Sequence, residues 1–231
     1  MSSSPYWQGR KHFLHLTKDS SVVAQQVSVV AVFCTTWANL YQGNLSAELL
    51  IGLESVLLLV GWMIRRDVLR QWPDVAMLCN DARQLVLLAG WLLCLSPVFK
   101  TLTRTFSDDT VSALTLSLFI AHLVLHDYEY LLNYSSTFRG STSMNAATFA
   151  SVVLAARLRS TSNVFAMMTL ATQAFVLLPL LWRTINRALT SAQQLGVAAI
   201  VVLLTASLLV TLVSNVLAVS VAIEPLPLPL H

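Results

Sequence analysis

Of the chain's 231 residues, 56% are hydrophobic and only 11% are Asp, Glu, Lys or Arg, with a mean hydropathy of +0.69 and a formal charge of +3. A soluble domain carries about 25% charged residues, so water is not the solvent for most of this surface. That excludes a soluble enzyme, a nucleic-acid-binding module and a disordered linker, and leaves an all-α polytopic membrane protein. The 14 Lys and Arg stand singly or in pairs, so no polybasic block exists for nucleic acid to meet. Cys34, Cys79 and Cys94 fit neither a disulfide framework nor a zinc pattern, and neither a metal nor another cofactor is expected.

In chain order, residues 1–20 form a polar leader, 21–223 a transmembrane helical bundle and 224–231 a Pro-rich tail. A crossing of about 30 Å needs roughly 20 mostly apolar residues. The first span runs from about Val22 to Leu40; the long leader and Gln25-Gln26 inside the run favour a retained signal-anchor over a cleaved signal peptide. The second is Ala47 to Ile64, closed by Arg65 and Arg66. The third is Leu85 to Phe99, short, with Ser96-Pro97 expected to kink or end it. The fourth is Thr110 to Leu125; Asp108-Asp109 before it are expected to cap the helix, where its dipole favours carboxylates. A weaker fifth covers Met144 to Ala156, and the sixth is Val164 to Trp182, with Pro179 near its end. The last apolar run, Leu195 to Ile223, is about 29 residues, too long for one untilted crossing, and is either a long tilted helix or a helix plus part of another. Seven segments are predicted.

From Glu224 to His231 the alternating Pro225, Pro227 and Pro229 exclude a helix. With a cytosolic N-terminus the inner segments carry Arg10, Lys11, Lys18, Arg65, Arg66, Arg70, Arg83, Arg139, Arg183 and Arg187. The outer loops carry Lys100, Arg104, Arg157 and Arg159. Ten against four favours that orientation. Loops of at most about 20 residues leave no room between the spans for an α/β nucleotide-binding domain, and neither GxGxxG nor GxxxxGK[ST] occurs.

Ionisable groups at membrane depth are costly and mark candidate sites. Glu54 lies near the middle of the second span, either hydrogen-bonded to a neighbouring helix or protonated, or in contact with a headgroup or another subunit. His122 and His126 are four residues apart on one helix face, a spacing at which two imidazoles can share a metal ion. His122 and Asp127 also fit the H-x4-D spacing of some acyltransferases, with His as base and Asp as its orienting group. Neither pattern is complete: further ligands and motifs are lacking, and Asp127 and Glu129 lie off the His122 face. A polar helix end reaching headgroups, loops or another subunit is the favoured reading.

Ser96, Pro97, Lys100 and Thr101 form a hydroxyl-rich stretch in which the hydroxyls can satisfy carbonyls freed by Pro97, and Lys100 can snorkel to a phosphate headgroup. Ala146, Ala147, Ala150, Ser151, Ala155 and Ala156 give the fifth segment the small residues of close helix packing, with Asn145 expected to hydrogen-bond across that contact.

Several blocks together resemble the PIG-C family of phosphatidylinositol N-acetylglucosaminyltransferase subunits. Asp19-Ser20-Ser21-Val22-Val23-Ala24-Gln25-Gln26 is similar to the family's S-S-V-V-x-Q-Q. Ser96-Pro97-Val98-Phe99-Lys100-Thr101-Leu102-Thr103, followed by Ser107-Asp108-Asp109-Thr110, is similar to S-P-V-L-K-T-L-T and S-x-D-T. His122-Leu123 and Asp127-Tyr128 match H-L and D-Y; Met144-Asn145, Phe149-Ala150-Ser151 and Ala156-Arg157-Leu158 are similar to N-x-x-x-F-A-S and the closing S-R-L. Order and spacing hold from about Asp19 to Trp182. A member of that family is expected to complete a final helix and a polar tail where this chain has Glu224 to His231, so the resemblance implies a C-terminal helix cut short.

The resemblance implies a subunit of the endoplasmic-reticulum complex that begins glycosylphosphatidylinositol-anchor synthesis by moving N-acetylglucosamine from UDP-GlcNAc to phosphatidylinositol. The sugar-nucleotide domain would reside on another subunit, and no catalytic residue carries over to this chain. Expected partners are the other subunits, phosphatidylinositol and the bilayer. Ser96, Pro97, Lys100, Thr101, His122, Asp127, Asn145, Ala150 and Arg157 are the candidate contacts with lipid or with another subunit. Lys100 falls on the lumenal side, opposite the cytosolic sugar transfer, which favours a structural role for it. Two alternatives differ in class. A small-solute transporter would use broken helices around Pro97 and Glu54 but would show an internal repeat. An intramembrane enzyme built on His122 and Asp127 would lose activity on His122→Ala without losing partners.

Overall fold

The computed structural model describes residues 5–69, 74–102, 106–128, 140–188 and a few positions between 196 and 214, with side chains from Ser20 onward. The predicted last span (apart from those few positions), the tail and the segment after Tyr128 lie outside the described residues. The elements are α1 (Pro5–Gln42), α2 (Ala47–Leu69), α3 (Val75–Thr101), α4 (Asp108–Val124), α5 (Ser141–Ala155), α6 (Thr161–Thr172), a π-helical turn (Gln173–Leu177) and α7 (Leu178–Ala188). Among the described residues, four helical stretches are long and apolar enough to cross a membrane: Ser20–Gln42, Ala47–Asp67, Val75–Thr101 and Thr161–Asn186. At 17 and 15 residues, α4 and α5 are shorter.

Local chemistry sets the boundaries. α1 starts inside the polar leader and runs for 38 residues. It ends where Gly43 takes φ 83°, a left-handed conformation that lacks a Cβ penalty only in glycine. There the Gly43 N–H donates to the Leu40 carbonyl (3.3 Å) and the Asn44 N–H to the Asn39 carbonyl (2.9 Å), closing the helix end. Ser46 Oγ accepts from the Leu49 N–H at the start of α2 (3.3 Å).

α3 departs from the sequence expectation at both ends. It begins ten residues before Leu85 and passes through Pro97 to Thr101. One polar residue of its first turns, Asp81, is satisfied across the helix pair: it accepts from Trp62 Nε1 (2.9 Å) and pairs with Arg66 of α2. Near Pro97, the Ser96 hydroxyl donates back to the Leu92 carbonyl (2.6 Å), so the helix continues without a free polar group on Ser96. The α4 cap is also corrected. Ser107, not Asp108-Asp109, accepts from the Thr110 N–H (3.3 Å), and the two carboxylates occupy the first turn, where the dipole still favours them.

Pro179, the second residue of α7, has no N–H to offer the α ladder. The five residues before α7 widen into the π turn, with the Leu178 N–H reaching the Gln173 carbonyl. That turn projects Phe175 into the core, where it meets Phe33 of α1 edge-on at 5.3 Å and Phe119 of α4 at 5.9 Å.

α4 and α5 form the most extensive helix pair, and α6 packs on α2, α3 and α5. Ala147, Ala150, Ala155, Val164, Ala166 and Met167 at their meeting are fully buried. Small side chains let these backbones approach closely, as helix association in lipid requires. Close approach also marks α2 on α7, where a Cβ on Gly61 would sit 3.3 Å from Leu181 Cδ2. Two contacts fix direction: Val22 packs on Tyr128, and Trp37 Nε1 donates to the Leu154 carbonyl (2.8 Å). α4 therefore runs antiparallel to α1, and α5 parallel to it. The outer faces of α2 and α3 expose Leu53, Leu57, Val86 and Trp91, an apolar surface suited to hydrocarbon.

Candidate functional site

α4 ends at Val124, and the chain then turns through His126, Asp127 and Tyr128 beside the first turn of α5. One helical turn separates His122 from His126, and their rings meet edge-on at 5.3 Å. Ser143 of α5 holds both. Its hydroxyl donates to the His122 carbonyl (2.9 Å). With its proton so used, Oγ accepts from His122 Nδ1 (2.8 Å) and from His126 Nδ1 (3.3 Å). His122 Nδ1 also lies 3.0 Å from the Ser143 carbonyl, which can only accept. Both imidazoles are thus assigned the Nδ1–H tautomer, with the lone pair on Nε2. Each Nε2 is buried and has no hydrogen-bond partner among the described residues.

The surroundings complete the helix end. The Tyr128 hydroxyl donates to the Leu123 carbonyl (2.8 Å), and its ring stands 5.0 Å from that of His126. Phe175 closes the other side of His122 at 5.2 Å. Tyr128 and Ser143 therefore satisfy two of the last carbonyls of α4. Ser143 was not a sequence candidate. The signal for it was its phase: with Ala147 and Ala150 it forms an i, i+4, i+7 stripe on the buried face of α5.

The geometry replaces the His122–Asp127 dyad. His122 Nδ1 is engaged by Ser143, while Asp127 is half-buried in the turn. Among the described residues no three His, Cys, Asp or Glu side chains converge as a metal site would need.

The other candidates divide between two regions. Ser96 is buried, Lys100 half-buried, and Pro97 and Thr101 exposed, the Thr101 hydroxyl donating to the Val98 carbonyl (2.8 Å). Near that end of the bundle, Arg157 pairs with Asp108 (3.1 Å) and donates to the Phe106 carbonyl. The length of α4, about 25 Å at 1.5 Å per residue, separates this end from the His122 cluster. Ala150 is fully buried in the helix contact, whereas Asn145 is exposed and makes no hydrogen bond across it among the described residues. Glu54 is 1% exposed, and among the described residues neither of its carboxyl oxygens has a hydrogen-bond partner.

The GPI2 family, described as phosphatidylinositol N-acetylglucosaminyltransferase, matches residues 6–226. A putative C subunit of phosphatidylinositol N-acetylglucosaminyltransferase from Dictyostelium discoideum is 35% identical over 89% of this chain and 59% of its own length. The C subunit from Homo sapiens is 31% identical over 78% and 60%, and the GPI2 subunit from Schizosaccharomyces pombe 32% identical over 75% and 55%. The chain spans about three-fifths of the length of the curated relatives it matches. No solved structure matches it. A match that extends over nearly every residue, the buried core and the His122 turn included, means that this chain belongs to the GPI2 family.

Proposed function

We propose that the chain is a non-catalytic membrane subunit of the complex that transfers N-acetylglucosamine from UDP-GlcNAc to phosphatidylinositol in the endoplasmic-reticulum membrane. The observation that carries this reading is the family match along the chain, joined to relatives named as the C subunit of that transferase. The fold agrees in kind: the described residues are helical, without a strand among them from which an α/β nucleotide-binding layer could be built. Binding of UDP-GlcNAc then falls to a partner, and this chain holds that partner at the bilayer and presents the lipid.

Seven crossings with a cytosolic N-terminus belong to this reading. Its support for α4 and α5 is that together they accompany α1 from Val22 to Trp37, within the Ser20–Gln42 stretch that is long and apolar enough to cross. In this orientation the His122 turn faces the cytosolic half of the membrane, as sugar transfer requires. Lys100, Asp108 and Arg157 face the lumen and brace the loops there, while Ala150 sets the α4–α5 contact. The test is affinity purification of the full-length tagged chain from detergent-solubilised membranes. Transferase activity and a second, sugar-nucleotide-binding subunit should co-elute. Elution alone with full activity defeats the subunit reading.

A further inference from the structure

Among the described residues, Nε2 of His122, Nε2 of His126 and Nε2 of Gln25 are buried without a hydrogen-bond partner. Val22, Gln25 and Phe33 fall on one stripe of α1, and all are buried. Val22 meets Tyr128 and Phe33 meets Phe119 (5.8 Å between rings), so the turn of α1 carrying Gln25 lies level with the stretch of α4 that carries the histidines. The set is mixed in kind. Ser143 leaves both imidazoles with a lone pair only, and the Gln25 amide nitrogen is a donor only. Buried groups of this sort are rarely left unpaired, and the described helices do not pair them.

The complement of two acceptors and one donor is a group that both gives and takes hydrogen bonds. A phosphate has no proton for the imidazoles, a metal ion has no use for the amide N–H, and a charge at this depth is costly. Hydroxyls fit, and adjacent hydroxyls on one ring can meet acceptors one helical turn apart. We infer that Gln25, His122 and His126 form a binding site for the polyhydroxyl ring of the acceptor lipid, with Ser143 as the positioning residue that fixes the two tautomers. This rests on the proposed subunit role and assigns the lipid side of it to named side chains. It also brings together two blocks distant in sequence, Ser20 to Gln26 and His122 to Tyr128. A buried water molecule offers the same hydroxyl chemistry, so the experiment separates the two sources.

The test uses the full-length chain in two settings. In the assembled complex, Gln25→Leu and His126→Phe should each raise KM for phosphatidylinositol about tenfold, the effect of one lost hydrogen bond. KM for UDP-GlcNAc and recovery of the catalytic partner should not change. His126→Gln, which keeps an acceptor, should return KM to within about threefold of wild type. In nanodiscs containing phosphatidylinositol and phosphatidylserine, native mass spectrometry of the purified chain should show phosphatidylinositol retained by wild type and lost by His126→Phe. Lower thermal stability with unchanged KM and unchanged lipid retention means that water alone fills the site, and overturns the proposal. Lost partner recovery with normal lipid retention overturns it too, since the cluster then serves only the fold. A wild-type chain that retains the lipid but never recovers a catalytic partner refutes the subunit role and leaves the site standing.

Discussion

Replacing Ser143 by Ala removes one hydroxyl but disturbs three groups, because Oγ donates to the His122 carbonyl and accepts from two imidazoles. Leaving buried polar groups unpaired costs about 1–3 kcal/mol, so Ser143→Ala should lower the melting temperature in detergent by several degrees. An unchanged melt would mean that the hydroxyl holds nothing. Ala150 and Asn145 give a paired contrast on one helix. Ala150 is fully buried between helices, and Ala150→Leu should destabilise by about 1–3 kcal/mol through overpacking. Asn145 is exposed, and Asn145→Leu should leave the melt of the isolated chain within about 0.5 kcal/mol. The contrast reverses what residue type alone suggests, since a polar residue beside a small-residue stripe reads as interhelical glue until its phase on α5 is known.

The helices themselves were legible wherever apolar runs were long and uninterrupted, as in α2 and the apolar stretch of α6 and α7. What the pattern hid was hidden by tertiary contacts. Asp81 looks like a break in an apolar segment, and only Trp62 and Arg66 on the neighbouring helix make it part of α3. Pro97 looks like an end, yet the helix runs past it. Pro179 has its effect upstream, as a π turn that no periodicity announces but that places Phe175 against His122. Ser143 was missed for a similar reason: its partners lie 21 and 17 positions away in sequence. At the element scale the sharpest prediction concerns the end of α1. Gly43 holds φ 83° with open space where a Cβ would go, so Gly43→Ala meets only the backbone penalty of the left-handed region, about 1–2 kcal/mol. Circular dichroism should then show an unchanged helical signal with an earlier melt. A melt equal to wild type would mean that the α1–α2 turn tolerates another conformation.

For the molecule as a whole, low charge, apolar outer faces and a buried polar turn describe a protein whose solvent is lipid. The orientation is open to a direct check: an N-glycan acceptor inserted beside Lys100 or Arg159 should be modified, and one inserted beside Arg65 should not. Modification beside Arg65 would invert the bundle and move the His122 cluster to the wrong half of the membrane for sugar transfer. The proposed division of labour between this chain and a catalytic partner is tested by transferase assay on the purified full-length chain, alone and after addition of the separately purified sugar-nucleotide-binding subunit. No transfer of N-acetylglucosamine to phosphatidylinositol is expected from the chain alone, and transfer is expected once the two are combined. Turnover by the chain alone, dependent on UDP-GlcNAc, would contradict that division.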